Sequence, residues 1–389
     1  MTEYRTPGVY RMPVKPAATG GLAVGVPAFL GYPMRGAAND PAQPLRQWSE
    51  YVAHFSGASI EAPDSRLAAA VRGFFENGGE LCYVVALDGP PAAPRQALEA
   101  GLQKLDALDD VDLVAVPDLD RLQRNLLREP PREDFVRLQQ QLVDACEHHG
   151  GRLALLDSRM DADVGSLLDD RGALTGTSAA LYYPWLVVAD PDGGPNRAVP
   201  PCGHVAGVYA ATDRRVGVFK PPANVALQGV LDLKPAVSSA DQDRLNPEGV
   251  NALRAFPGRG IRVWGARTIS RDPMWRHVGV RRLFMTAGRW IERNLASVAF
   301  EPHNERLWAR IGRELTAYFN SLFEAGALKG ASAADAFVIK CDAETNPAAS
   351  RDAGTVVTEI ALAPSIPNEF VVVRISVATS GVTIAAVGA

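Results

Sequence analysis

The chain has no C-x-x-C pair, no apolar run near the length of a membrane span and no strong excess of either charge. Its four cysteines, Cys82, Cys146, Cys202 and Cys341, are far apart among small or apolar neighbours. That pattern predicts buried free thiols, not a disulfide framework or a zinc site. A formal charge of −4 over 389 residues offers no electrostatic reason to bind nucleic acid or an anionic membrane. No basic segment precedes an apolar one at the N-terminus, and nothing approaches the roughly 20 apolar residues that cross a bilayer. The expectation is a protein made in the cytoplasm, without membrane insertion.

The signatures of phosphate and nucleophile chemistry are missing too. After the strand at 81–87 comes Asp88-Gly89-Pro90-Pro91, which puts prolines where a G-x-G-x-x-G turn would admit a phosphate. No G-x-x-x-x-G-K-[ST], G-x-S-x-G or H-E-x-x-H occurs. Gly258-Arg259-Gly260 reads as a turn. Cys202 and His204 could offer two metal ligands, but zinc needs two more at matching spacing, so a helix start is expected there. His148-His149 reads as a helix end whose cation favours the dipole. Asp109-Asp110 and Asp169-Asp170 read as solvated charge. No catalytic, cofactor-binding or metal-binding residue is assigned, and no enzyme activity is expected.

What the chain does have is alternation. Prolines bias residues 7–16 (PGVYRMPVKP) toward extended backbone, which suggests an N-terminal arm. Residues 21–32 read as a buried strand, 47–55 and 65–76 as helices, the second with Leu67, Val71, Phe74 and Phe75 at helical spacing. Strands at 81–87, 113–117 and 153–157 alternate with helices at 95–108 and 133–149. A strand over 180–188 (ALYYPWLVV) closes the run, which predicts a parallel or mixed sheet under helices. A connector rich in proline and glycine (190–203) precedes a helix through 205–210. Residues 219–253 look irregular, and 260–268 read as a strand.

Two long helices, 277–298 and 304–324, carry apolar stripes, the second through Leu307, Trp308, Ile311, Leu315, Tyr318 and Leu322. On the first, Arg282, Arg289 and Arg293 share one face at about 100° per residue, either a solvated face or a basic stripe for an acidic partner. Strands follow at 336–342, 355–363, 369–377 and 382–387. Within 369–377, Val371, Val373, Ile375 and Val377 alternate with Phe370, Val372, Arg374 and Ser376. A hydrophobic strand at a chain end completes its own sheet or adds to a neighbour's edge. The second outcome is expected here.

Several long motifs resemble contractile tail sheath proteins. They are VPPCGHVAGVYA (199–210) with Thr212-Asp213, LNPEGVNALRAFPGRGIRVWGARTIS (245–270), VGVRRLF (278–284) and FEPHNERLW (300–308). PGVY (7–10), FFENGG (74–79), YYPWLVV (182–188) and APSIPNEFVVVRIS (363–376) fit the same family in the same order. The resemblance implies a mixed-sheet α/β domain followed by a C-terminal α+β sheath domain with extended N- and C-terminal β arms. The divisions expected are an arm at 1–20, the N-terminal part of the core at 21–80, an α/β domain at 81–200, the sheath domain at 201–368 and a strand arm at 369–389.

The same resemblance implies stacked hexameric rings of this chain around an inner tube, contacts with baseplate and terminator or cap proteins, and contraction that drives the tube through an envelope. Subunits would be linked by arms carrying Val9, Tyr10, Met12 and Val14 at one end. At the other end the arm carries Phe370, Val371, Val372, Val373, Arg374, Ile375 and Val377. Arg282, Arg289 and Arg293 become tube-facing candidates. Assembly in the bacterial cytoplasm into a phage tail or a released phage-like particle would follow. The alternatives are a non-contractile baseplate or cap component and an α/β enzyme.

Overall fold

A computed structural model describes residues 22–36, 40–57, 66–87, 94–119, 132–191, 193–298, 301–352, 354–366, 372–378 and 381–387. Strand β1 (Pro27–Gly31), buried at every position, lies inside a nine-stranded sheet. The chain continues through β2 (Gln43–Leu45), α1 (Trp48–Phe55), α2 (Leu67–Glu76), β3 (Cys82–Ala86), α3 (Pro94–Gln103), β4 (Leu113–Ala115), α4 (Arg132–His149) and β5 (Leu153–Asp157). Next come α5 (Val164–Gly172), β6 (Ala179–Tyr183), β7 (Trp185–Val188), β8 (Arg197–Val199), α6 (Cys202–Arg215), β9 (Val225–Ala226), β10 (Asp232–Lys234), α7 (Ser239–Leu245), β11 (Val250–Phe256) and β12 (Gly260–Val263). The last third holds α8 (Val278–Leu295), α9 (Glu305–Glu324), α10 (Ala333–Ala336), β13 (Phe337–Lys340), α11 (Ala348–Asp352), β14 (Glu359–Leu362), β15 (Val372–Ala378) and β16 (Gly381–Val387).

The main sheet runs β2-β3-β1-β4-β5-β6-β11-β12-β9, parallel from β3 to β11. Successive side chains of a strand face opposite sides. Phe29, Ala115, Leu155 and Tyr182 accordingly pack with α2 and α6, while Ala28, Leu30, Val114 and Leu156 pack with α3 and α4. A third core joins α8 and α9 to β13 and β14 through Leu283, Ala287, Leu307, Ile311, Leu315 and Phe319. Helix α8 is the shared wall, since its Val278 and Met285 belong to the first core.

This mixed α/β architecture agrees with the expected fold class. The sheet takes strands from β1 to β12, so the expected divisions at 80/81 and 200/201 fall inside one layered unit. The run 180–188 is two strands, because Pro184 has no N–H for the ladder. Strand β6 stays in the main sheet and β7 pairs antiparallel with β8 and β10. The segment 219–253 is not irregular but holds β9, β10, α7 and the start of β11, and α5 was not foreseen. The predicted strand 260–268 stops at Val263. Gly258-Arg259-Gly260 turns β11 into β12, as expected. All four cysteines are free, three of them buried and Cys341 half-buried. No described helix is long and apolar enough to cross a membrane.

Helices α2 and α6 bring together two of the quoted motifs, FFENGG and CGHVAGVYA. A Cβ at Gly203 would lie 2.2 Å from the Ala70 carbonyl oxygen, and one at Gly207 would lie 2.5 Å from that of Phe74. Four residues apart, the two glycines share a helix face and let the backbones meet. Cys202 opens α6, with its N–H donating to Asp157 Oδ1 at 2.9 Å, so Cys202-Gly203-His204 is a helix start and a packing seam.

Candidate functional site

Where the chain enters the sheet, Gly25 and Val26 donate their N–H groups to Asp112, to Oδ2 at 3.0 Å and Oδ1 at 2.7 Å. Val26 O in turn accepts the Asp112 N–H at 3.1 Å. Asp112 stands one residue before β4 and faces α8, whose Arg282 Nη2 donates to Asp112 Oδ2 at 2.7 Å. The same guanidinium grips Asp213 on α6 through both oxygens, at 2.7 and 2.6 Å, and lies 5.0 Å from the Tyr209 ring centre. The Tyr209 and Tyr182 hydroxyls are 2.7 Å apart. One arginine thus joins the incoming chain, the sheet, α6 and α8.

All three charged side chains are buried. Burial pushes the Asp213 carboxyl up to about 6 against the pull of Arg282, and Asp112 beside it adds to the rise. Burial disfavours the charge on Arg282, but Asp213 and Asp112 outweigh it and hold its pKa above the ordinary value. Two carboxylates share one guanidinium, so the cluster has one negative charge in excess.

Both readings of the arginine stripe therefore need correction. The face shared by Val278, Arg282, Met285 and Arg289 is buried. Arg282 has no outward surface to offer a tube. Arg289 is 7% exposed, donates to the Asp109 carbonyl at 2.6 Å and has its pKa lowered, chiefly by burial. Only Arg293, one turn further on, is exposed. The acidic pairs are also less solvated than expected, since Asp170 is buried between Arg132 (2.5 Å) and Arg159 (2.8 Å), and Asp110 accepts from the Tyr83 hydroxyl at 2.9 Å. His149 does end α4, but burial, then Arg152 and Arg289, lower its pKa, which opposes the cationic role given to it.

In an open parallel sheet, ligands bind beyond the strand ends where the strand order reverses. Here the order reverses between β1 and β4. Asp118 fills that position, accepting the N–H groups of Tyr32 at 3.0 Å and Arg66 at 2.6 Å just before α2. Arg66 covers the Trp185 ring at 4.4 Å, and Trp185 Nε1 donates to the Ser158 carbonyl at 2.8 Å. The cavity lined by Val116, Phe135, Ser158 and Trp185 holds about 10 Å³, room for at most a single water. The chain's own carboxylate takes up the two backbone N–H groups at this strand-order reversal.

His204, 2% exposed, has no partner for Nδ1 among the described residues, and burial lowers its pKa to about 4. Because the folded value lies below the unfolded 6.5, its stabilisation is complete above 6.5 and lost as pH falls toward 4. We expect the stability of the parent relative to His204→Gln to drop by about 3 kcal/mol between pH 7 and pH 4. Denaturant titrations across that range measure it, and parallel pH curves would show that His204 does not titrate this way.

The C-terminal strands form two separate two-stranded sheets, β13–β14 and β15–β16. In the hairpin, Val372 pairs with Val387 and Ala378 with Gly381. Val372, Val373, Arg374, Ile375 and Val377 lie in β15, while Phe370, Val371, Val9, Tyr10, Met12 and Val14 lie outside the described residues. Among the described residues neither small sheet has a third strand. Val338 on β13 is 58% exposed and Ile366 beyond β14 is 59% exposed.

Residues 138–269 match the family model of the phage tail sheath protein central domain, and 270–378 that of the phage tail sheath C-terminal domain. Together they cover more than half of the chain, which belongs to the phage tail sheath family. It is similar to a tail sheath protein of Vibrio phage KVP40, 28% identical over 189 residues, which are 48% of this chain and 27% of the viral one. The chain thus spans about a quarter of that relative's length. Its structure is similar to a chain of the PVC sheath complex, an extracellular contractile injection system in the contracted state, with a TM-score of 0.74, 28% identity and 98% and 99% of the two chains covered. The contracted helical sheath of the anti-feeding prophage gives a TM-score of 0.75 at 28% identity, covering 96% and 99%.

Of the central features, sequence reasoning missed Asp112, Asp118 and Asp213. Asp112 and Asp118 carry no local signal. Asp213 and Arg282 stood in quoted motifs, and a signal was there for Arg282: its i−4 and i+3 neighbours are Val278 and Met285, so it sits on an apolar face.

Proposed function

We propose that this chain is the sheath subunit of a contractile injection particle. Subunits stack as hexameric rings around an inner tube, meet a baseplate and a terminator or cap, and slide into a more closely packed state that drives the tube through a target envelope. Assembly is in the bacterial cytoplasm, and the particle is a phage tail or a released phage-like injector. The role is mechanical. The self-filled crevice at Asp118 and Arg66 supports that reading over an α/β enzyme.

The observation that carries the assembly reading is the pair of sheets that have only two strands each among the described residues. An isolated two-stranded hairpin is marginal in water, and an unpaired strand edge is a template for another strand. The β15–β16 hairpin and the N-terminal segment with Val9, Tyr10, Met12 and Val14 reach neighbouring subunits and complete their β13–β14 sheets by strand addition. Arg293 is the remaining tube-facing candidate, Arg282 and Arg289 being withdrawn.

Negative-stain electron microscopy of the purified chain, alone and co-expressed with its tube, tests this. Hollow striated tubes are expected. A chain lacking residues 369–389 is expected to stay folded by circular dichroism and to form no tubes. Tubes from the truncated chain would count against arm linkage, and absence of tubes from the full chain with its tube present would sink the sheath reading.

A further inference from the structure

If the termini carry load between subunits, as proposed above, each arm must be fixed to its own subunit. We propose that Arg282 is a positioning residue that anchors the N-terminal arm: through Asp112 it ties the backbone of Gly25 and Val26 to α8 and α6, so that tension on the arm enters the packed core.

The geometry separates an anchor from an ordinary buried ion pair. Gly25 and Val26 are the last residues before β1, and both amides end on one carboxylate. That carboxylate is held by an arginine 170 residues further along the chain. The incoming chain is also pressed on α6, because a Cβ at Gly25 would lie 2.6 Å from Ala210 Cα and 3.1 Å from Asp213 Oδ2. Pulling the arm outward must break both N–H hydrogen bonds to Asp112 and the reciprocal Asp112 N–H to Val26 O hydrogen bond together, since all three meet at one residue. Arg282 stands on the helix that joins the first core to the third, so a pull at this point is shared between the sheet and the unit bearing β13 and β14.

The two carboxylates differ in what they bond. Asp112 accepts the Gly25 and Val26 amide hydrogens, whereas Asp213 only packs against Gly25. Asp112→Asn and Asp213→Asn each replace one of Arg282's two anionic partners with a neutral amide, so a purely structural cluster predicts similar effects. The anchor predicts that Asp112→Asn speeds hydrogen exchange at the Gly25 and Val26 amides at least tenfold. Asp213→Asn should leave those amides at the parent rate, and peptides from α4 and β5 should stay at the parent rate in both.

Exchange is read on the unassembled full-length chain by mass spectrometry with residue-level fragmentation. It therefore reports on the anchor whether or not tubes form, while failure of the sheath reading would appear only in the microscopy. Parent-like exchange at Gly25 and Val26 in Asp112→Asn, or equal acceleration in both variants, would overturn the anchor. Should Asp112→Asn fail to fold, Arg282→Lys serves instead. It keeps the charge but loses the fork, and should speed exchange at the two root amides several-fold with α4 and β5 unchanged. Unchanged root exchange there would overturn the proposal as well.

Discussion

Arg282→Ala is expected to destabilise the subunit by about 3–5 kcal/mol at neutral pH, because it leaves two buried carboxylates facing each other without a cation. Asp112 and Asp213 both bond to Arg282 at 2.6–2.7 Å, and their side chains are 5% and 1% exposed, so water cannot take the arginine's place cheaply. The loss should shrink in mild acid. Asp213 has a folded pKa of about 6 against 3.8 unfolded, so the folded state holds its proton throughout that window. The Asp213 contribution to stability therefore rises as pH falls from about 6 toward 4. Removing the guanidinium strengthens this tendency by taking away what favours the anionic form. Denaturant titration of parent and variant at neutral pH and near pH 5 is the measurement. A loss under about 1 kcal/mol at neutral pH would mean that the cluster is looser or wetter than its geometry implies.

Gly203→Val is expected to be at least as damaging. Its Cβ would lie 2.2 Å from Ala70 O and 2.3 Å from Ala70 Cα, both backbone atoms that cannot rotate away. Relief requires α2 and α6 to separate along the seam where Phe74, Val205 and Tyr209 are packed. Overpacking a core costs about 1–3 kcal/mol where side chains can adjust, and a backbone clash belongs at or above the top of that range. The expected outcome is loss of most soluble protein, with any soluble fraction unfolding at a much lower denaturant midpoint. Gly288→Val is the matched control, because a Cβ there meets nothing within 4 Å among the described residues. Equal stability of the two variants would refute the close approach of α2 and α6.

Long periodic elements were legible in the residues. Helices α4, α8 and α9 and strands β3 and β5 follow from apolar spacing alone, and their bounds agree with expectation to within a few residues. The missed helices are α5, α7, α10 and α11, all too short for periodicity to register, and α5 and α7 show why. Their signals are local: Asp163 accepts the Ser166 N–H, and Ser238 and Asp241 form a reciprocal capping box. Family membership was legible because the quoted motifs are long and specific, and the two family matches bear it out. The C-terminal arm residues carried a strand pattern, and Val372–Ala378 form β15.

By itself the sequence determined the α/β alternation, the long C-terminal helices, the strand-forming C-terminus and the membership in the tail sheath family. These rest on periodicity and on contiguous residue strings, both local along the chain. Only the tertiary structure decided which charges are buried. Asp112, Asp213 and Arg282 are separated by up to 170 residues, and although Val278 and Met285 mark the face of Arg282 as apolar, no periodicity names the two distant carboxylates that hold it. It also decided that Asp118 fills the crevice of the sheet and that glycines of α6 meet the backbone of α2. Burial and ion pairing depend on which distant elements the fold brings into contact, and that is a property of the packed chain.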